Sequence, residues 1–449
     1  MTYAPTFFES DMPAVERCFG HQIKFCNGNI VKDLTGGITS HSVLSWGDND
    51  VADLVHKQLL TYSHLDYKTF HDPMRERLAK LLVKGVPQKD RGTGWSVFYP
   101  GLSGSDGIEG ALKLAYQFHC AAGEPERSQI VSFRESYHGS TLGAMSLGDR
   151  PNLDMYSPLF PNNIHRLEEL NSFRPPPDVM NESDLLNHGI KNFEAVLRSV
   201  GPSKICCIVG ETISGGLTGY VKRPTGYWRL IKEMCHRHGI ILILDEIICG
   251  PGVSGTYYCW EQDRATPDIT VMGKTLAGGY FPCNALLVKD EILDTIRSEN
   301  GRIQQTNTFQ GHSVALAVAE YVQKKICDEE FLGSVRSKGA AAVNLITDRL
   351  HRSARFQSCT GRGMRYSVQL RGELTDSFAR QVTKSCENDA KLLVDGKWHR
   401  FTFSPQLDMD VGELLDLTST FCDIFLNTDS TELKNLASEE DKSDPQRRY

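Results

Sequence analysis

The chain has 449 residues, 40% apolar and 23% charged, with a formal charge of -7. That balance is ordinary for a globular enzyme, and the length exceeds one typical core, so two or more domains are expected. No dense Lys/Arg cluster marks a nucleic-acid face, and no apolar stretch nears the roughly 18 residues that span a bilayer. In chain order, residues 23–33 alternate enough for one or two strands before Gly36-Gly37 breaks the pattern. Helical spacing runs over 51–60 and again over 75–83. An extended piece at 95–99 ends at Pro100-Gly101, and a small-residue turn at 102–107 opens a helix over 108–121. Strands are expected at 129–133, 205–209 and 240–244, with a helix at 227–238. Such alternation indicates an α/β fold with a mostly parallel sheet and helices on both faces.

After about 287–300 the pattern changes to long helical stretches (313–327, 331–351) and short strands near 364–370 and 400–403. A smaller α+β domain is therefore expected at the C-terminal side. The expected division is an N-terminal segment at 1–45 packing with the small domain, a large domain at 46–300 and a small domain at 301–426. The polar end, 427–449, is expected to be a disordered tail, and the Pro-rich piece 172–183 a surface excursion. Residues 1–10 lack a basic region and a sustained apolar run, so no secretory leader is expected. The 13 cysteines are odd in number and form no C-x-x-C pair. Reduced thiols in a cytoplasmic protein, with no zinc or other metal site, are expected, and Cys206-Cys207 should be buried.

The chemistry centres on Lys274 in the stretch 267–280, where its neighbours are apolar or small. A buried amine loses pKa because desolvation disfavours its charged form, which makes it a nucleophile able to form a Schiff base. Upstream, Asp245-Glu246 ends the apolar run 240–244. A carboxylate there can keep the ring nitrogen of pyridoxal 5'-phosphate (PLP) protonated, and Lys274 with Asp245 therefore proposes a PLP enzyme. The same acid pair also reads as a strand-end cap or a Mg²⁺ site, but no G-x-x-x-x-G-K-[ST] loop accompanies it. Ser103-Gly104-Ser105 opens a helix, whose free N–H groups and dipole suit a phosphate. Taken alone, that turn is more commonly a serine cap with nothing bound. Tyr137-His138-Gly139 follows a strand, and the tyrosine can stack on a flat heterocycle or simply pack over its loop. Ile247 faces the same side as Asp245, and Glu211 ends another strand. Ligands of open α/β sheets bind at those carboxyl ends, so Ser105, Tyr137, Glu211 and Asp245 should converge.

Ordered motifs along residues 24–417 resemble the class III (omega) aminotransferases of PLP fold type I. Asp245-Glu-Ile-Ile-Cys-Gly-Pro-Gly-Val-Ser-Gly255 resembles D-E-V-x-x-G-F-G-R-T-G, and residues 267–274 resemble P-D-I-x-x-x-x-K. Ser103–Ala115, Tyr137-His-Gly139 and Thr306–Gly311 extend the match. The wording of 64–69, 100–105 and 132–143 is similar to diaminobutyrate–2-oxoglutarate aminotransferases. The resemblance implies a large PLP-binding domain and a smaller α+β domain. It makes Lys274 the Schiff-base lysine and proton shuttle, and Asp245 the partner of the ring nitrogen. Ile247 and Tyr137 would cover the ring faces, and Gly104, Ser105 and His138 would line the cofactor site. Thr308 would reach the phosphate from a neighbouring subunit, implying a homodimer, and Glu211 would stand near the substrate, commonly paired with an arginine.

Some positions depart from the family pattern. Phe-Gly-Arg-Thr is Pro251-Gly-Val-Ser254, the usual glutamine after the glutamate is Ser214, and R-G-x-G reads Thr360-Gly-Arg-Gly363. R-F-A-P-P-L, whose arginine binds an α-carboxylate in the family, reads Thr402-Phe-Ser-Pro-Gln-Leu407, and Arg400, facing the same way as Thr402 on a strand, is expected to substitute as a substrate residue. These changes leave the cofactor machinery and alter the substrate pocket. The expected reaction transfers a terminal amino group from a diamino acid or related amine to a keto acid such as 2-oxoglutarate. Another PLP reaction on the same fold, by an aminomutase, lyase or decarboxylase of a specialised biosynthetic pathway, is the alternative.

Overall fold

The computed structural model describes residues 13–38, 43–92, 94–215 and 217–428. The opening residues and the tail expected beyond 428 lie outside them. A seven-stranded sheet runs in the order Trp95–Phe98, Ala285–Lys289, Ile269–Met272, Ile241–Asp245, Ile205–Glu211, Gln129–Phe133, Ile164–Leu167. Ala285–Lys289 is antiparallel to both neighbours, and the other pairings are parallel.

Ile241–Asp245 is apolar up to its final acid because both its faces are covered. Ile241 and Ile243 cluster with Ile108, Ala111 and Leu114, which belong to the helix Gly104–Ala121. Leu242 and Leu244, on the other face, cluster with Trp228 and Ile231 of the helix Tyr227–His238. The first of these helices begins at Gly104 rather than at 108. Asp106 N donates to Ser103 Oγ at 3.2 Å and Ser103 N to Asp106 Oδ2 at 2.9 Å, a reciprocal cap that adds a turn. Ile205–Glu211 likewise runs two residues past the expected end, carrying Glu211 inside the sheet. Cys206 and Cys207 are both buried in it.

A second, antiparallel sheet has the order Phe356–Arg362, Arg365–Leu370, Arg400–Phe403, Asp395–Lys397. One face is aromatic: Tyr366 stacks on Phe403 at 5.2 Å, and Phe401 and Phe403 each meet Phe421 at 5.0 Å. Phe421 lies on the helix Val411–Asn427, which packs beside Glu329–Leu350. Alternation puts Arg365, Ser367, Gln369, Arg400 and Thr402 on the opposite face. The strands Val15–Phe19, Gln22–Phe25 and Ile30–Asp33 form a third sheet, completed by Leu392–Leu393 parallel to Ile30–Asp33. That pairing ties the start of the chain to its last third. Among the described residues no helix is long and apolar enough to cross a membrane.

Close packing between helix and hairpin gives a direct test. Gly339 of Glu329–Leu350 lies against the backbone of Gly363, and a Cβ there would overlap the Gly363 carbonyl. Backbone yields less readily than a side chain, so Gly339→Ala is expected to cost about 1–3 kcal/mol. An unchanged midpoint in urea unfolding would contradict this contact.

Candidate active site

Four strand ends meet at one edge of the large sheet. Asp245 and Glu211 are directly paired neighbours on adjacent parallel strands. Beyond Met272 the chain turns through Gly273 into a short 3-10 turn, Lys274–Ala277, with Lys274 itself at φ +32. A Cβ on Gly273 would stand 3.3 Å from Ile247 Cγ2 and 3.5 Å from Gly104 Cα, so three segments touch there. The loop after Gln129–Phe133 brings in Tyr137 and His138. Tyr137 N donates to Glu211 Oε2 at 3.4 Å, and Gly215 N donates to Glu211 Oε1 at 3.1 Å. His138 Nδ1 lies 2.8 Å from Asp245 Oδ2, and Ile247 N donates to Asp245 Oδ1 at 3.0 Å.

The two acids of the pair have separate duties. Glu246 Oε1 accepts from Trp260 N at 2.7 Å and Thr212 Oγ1 at 2.9 Å, and Oε2 accepts from Cys259 N at 2.8 Å. It fastens a loop. Cys249 and Cys259 offer sulfur within 4.8 Å of it, but both carboxylate oxygens already hold donors. Asp245 is the acid that faces the crevice.

Burial dominates the electrostatics. It pulls the pKa of the Lys274 amine below the ordinary lysine value against Asp245 and Glu211, and Arg365 and Arg150 add to the drop. Burial also opposes a charged His138, yet the hydrogen bond and charge of Asp245, with Glu211, hold its pKa above the usual imidazole value. Burial pushes Glu211 up to about 7, with His138 opposing and Asp245 and Glu169 reinforcing.

The local shape suits a flat cofactor bearing a phosphate. The first N–H groups of Gly104–Ala121 have no intrahelical partner, and Gly104 is the place where a Cβ would press 2.8 Å from Ile247 Cδ1. Ser105 Oγ accepts from Ser140 N at 3.0 Å, and a Cβ on Gly139 would fall 2.5 Å from that oxygen. His138 Nε2 is buried with no partner among the described residues. These features fit PLP.

Two residues singled out from the sequence lie on other segments. Thr308 is exposed, its carbonyl 2.8 Å from His64 Nε2. Arg400 is fully buried with its guanidinium 4.6 Å from the Trp398 ring centre, and burial lowers its pKa to about 10 against Asp395. Glu211 takes backbone donors where the resemblance suggests an arginine. Sequence reading missed Arg150, whose guanidinium lies 4.1 Å from the Tyr137 ring centre, and the buried Arg365. Neither position belongs to a motif, and only the fold brings them near. A cavity of about 1070 Å³ opens away from Lys274, with Arg223, Arg336 and Arg362 in its wall. Each of those cations is engaged, by Glu169 at 3.1 Å, Glu329 at 2.5 Å and Asp263 at 2.6 Å respectively.

This architecture is the type I fold of PLP-dependent transferases. An amine transaminase from an uncultivated Pseudomonas species, solved with PLP bound, matches with a TM-score of 0.86 at 24% identity, covering 94% of this chain and 97% of that one. An omega-transaminase from Thermomicrobium roseum matches with a TM-score of 0.84 at 22% identity, covering 94% and 93%. The chain belongs to the aminotransferase class-III family, whose model matches residues 9–391. It is an aminotransferase, and its cofactor is pyridoxal 5'-phosphate. An aminotransferase of Gibberella zeae is 29% identical over 379 residues, 82% of this chain and 73% of that protein. The diaminobutyrate–2-oxoglutarate transaminase of Halomonas elongata is 27% identical over 329 residues, 70% of this chain and 68% of its own.

The raised pKa of Glu211 makes stability depend on pH. Its folded value of about 7 lies above the ordinary glutamate value, so the native state holds that proton more tightly. The resulting stabilisation is complete below the ordinary value and is lost as pH rises through about 7. Glu211→Gln should remove that loss, gaining about 1–3 kcal/mol on wild type between pH 5 and pH 8. Urea unfolding of the cofactor-free proteins measures it, and parallel pH profiles for the two would refute it.

Proposed function

We propose that this aminotransferase moves a terminal amino group from a diamino acid or a related amine to a keto acid such as 2-oxoglutarate. The observation that carries the reading is the half-buried Lys274, its amine under the charges of two paired strand ends, Asp245 and Glu211. The likeness to the Halomonas elongata diaminobutyrate transaminase supports the donor and acceptor classes. PLP, when bound, supplies an aldehyde that captures amines and a ring that withdraws electrons from the neighbouring carbon.

The residues of this chain do the rest. Gly104 and Ser105 offer N–H groups and a hydroxyl to the phosphate, at the positive end of an 18-residue helix. Asp245 would meet the ring nitrogen, and the His138 imidazole 2.8 Å away stops the carboxylate from turning aside. Ile247 would cover one ring face and Tyr137 the other. With its affinity for protons reduced by burial, Lys274 Nζ is a nucleophile, and it would carry the proton from the amine-bearing carbon of the substrate to the former aldehyde carbon of the cofactor. Glu211, which titrates at about 7, borders the substrate and can bind it in either protonation state.

The enzyme acts as a homodimer. Thr308 sits on an exposed turn beside Phe309, itself 50% exposed, which leaves it open to a second subunit whose phosphate site it would complete.

Four experiments test this reading. Lys274→Ala is expected to lower transfer by at least about four orders of magnitude, since nucleophile and proton carrier are lost together. Borohydride treatment of the PLP-loaded wild type should fix the cofactor on the peptide containing Lys274, and labelling of any other lysine would refute its role. Separately, diaminobutyrate with 2-oxoglutarate should yield one glutamate for each keto acid consumed. Amine consumption without glutamate would exclude net transfer. Thr308→Ala should weaken PLP binding about tenfold or more, as loss of one charge-assisted hydrogen bond predicts. Unchanged PLP affinity, or a monomer in light scattering, would remove the shared site.

A further inference from the structure

Arg365 is fully buried at the start of the strand Arg365–Leu370. Its Nη1 donates to the Met364 carbonyl at 3.1 Å, while Nε and Nη2 have no partner among the described residues. Those two nitrogens form one edge of the guanidinium, with two parallel N–H bonds, the geometry that grips a carboxylate in bidentate fashion. A guanidinium does not give up its charge on burial, so an empty donor edge inside the protein calls for an anion.

The direction of the side chain follows from the strand. Arg365, Ser367 and Gln369 share a face. Ser367 Oγ donates to the Gly219 carbonyl, and Gln369 Nε2 donates to the Thr218 carbonyl at 3.2 Å. This face therefore lies on the segment that leaves Glu211 and ends at Tyr220, whose hydroxyl is 2.7 Å from Ser404 Oγ. The groups of opposite sign that act on Arg365 are the Tyr220 phenol and the Cys249 thiol, both held protonated by burial. Neither supplies a fixed negative charge. On the crevice side the field of Arg365 reaches the Lys274 amine.

We infer that Arg365 binds the carboxylate of the amino-acid donor and of the keto-acid acceptor, fixing the distance between that carboxylate and the nitrogen presented at Lys274. This assignment rests on the transfer reaction proposed above and names the residue that selects acidic substrates. Tyr220 and Ser404 flank the carboxylate as neutral hydroxyl groups.

The test compares two donors of equal length, 5-aminopentanoate and pentylamine, in single turnovers of the PLP-loaded enzyme followed by cofactor absorbance. Restricting the measurement to the donor half keeps acceptor binding out of the result. Wild type should favour the carboxylate. In Arg365→Met the ratio of the two rate constants per unit concentration should fall at least tenfold. Arg365→Lys keeps the charge without the fork, and its ratio should lie between the two. A ratio that moves less than tenfold in Arg365→Met overturns the assignment, as does an equal loss on both donors, which marks a purely structural role. Should Arg365→Met fail to fold, the Lys variant decides, since a ratio equal to that of wild type overturns the assignment. Wild type that reacts with neither donor overturns the transfer reading itself, and reaction with both while the ratio stays fixed overturns only Arg365.

Discussion

The 2.8 Å contact between His138 Nδ1 and Asp245 Oδ2 is the interaction on which the rest of the site depends. It lies inside the protein, where a carboxylate without a partner is costly and a mobile one is of little use to a ring nitrogen. The contact exists because two parallel strands end side by side and the loop from a third crosses above them. Glu211 is held in the same way, by the Tyr137 and Gly215 amides. The sheet thus fixes acids in position before any ligand arrives, and binding needs no rearrangement of the charged groups.

Charge balance at this edge is uneven by construction. Asp245 and Glu211 draw a proton toward Lys274, whereas burial, Arg365 and Arg150 drive it off. The repelling side prevails, and the amine is left able to attack. Arg150 also lies 4.1 Å from the Tyr137 ring centre, a cation–π contact that restrains the aromatic. Polar groups at the neighbouring sheet bring a second positive centre. The small antiparallel sheet turns its aromatic face to the helix Val411–Asn427 and its polar face to the Thr218–Tyr220 backbone. Recognition of the substrate and activation of the amine therefore come from different sheets that share one boundary.

Particular residues show how far sequence patterns reach. Lys274 and Asp245 could be read because their chemistry is unusual for their apolar surroundings, and because strand ends are where such sheets bind ligands. The extra turn at Gly104 was foreseeable from the Ser103 and Asp106 spacing, a capping pair that the apolar periodicity at 108–121 obscures. The helix Glu182–Val200 follows the Pro-rich stretch and hides behind it, though its apolar stripe buries Leu185, Phe193 and Leu197. Arg362 and Arg365 look alike in the sequence. In the fold one pairs with Asp263 at 2.6 Å, while the other keeps two donor nitrogens without a partner among the described residues.

The sequence by itself determined the alternation of strands and helices, the PLP chemistry and the residues at the ends of strands, because these follow from local periodicity and from the chemical type of single side chains. Only the tertiary structure decided which acid of the pair faces the crevice, that Glu211 is hydrogen-bonded by backbone amides, and that Arg365 lies on the face turned toward Tyr220. Those outcomes depend on which strands are neighbours and on which side of a sheet is buried. Contacts between separate strands and loops settle both, and no local pattern encodes them.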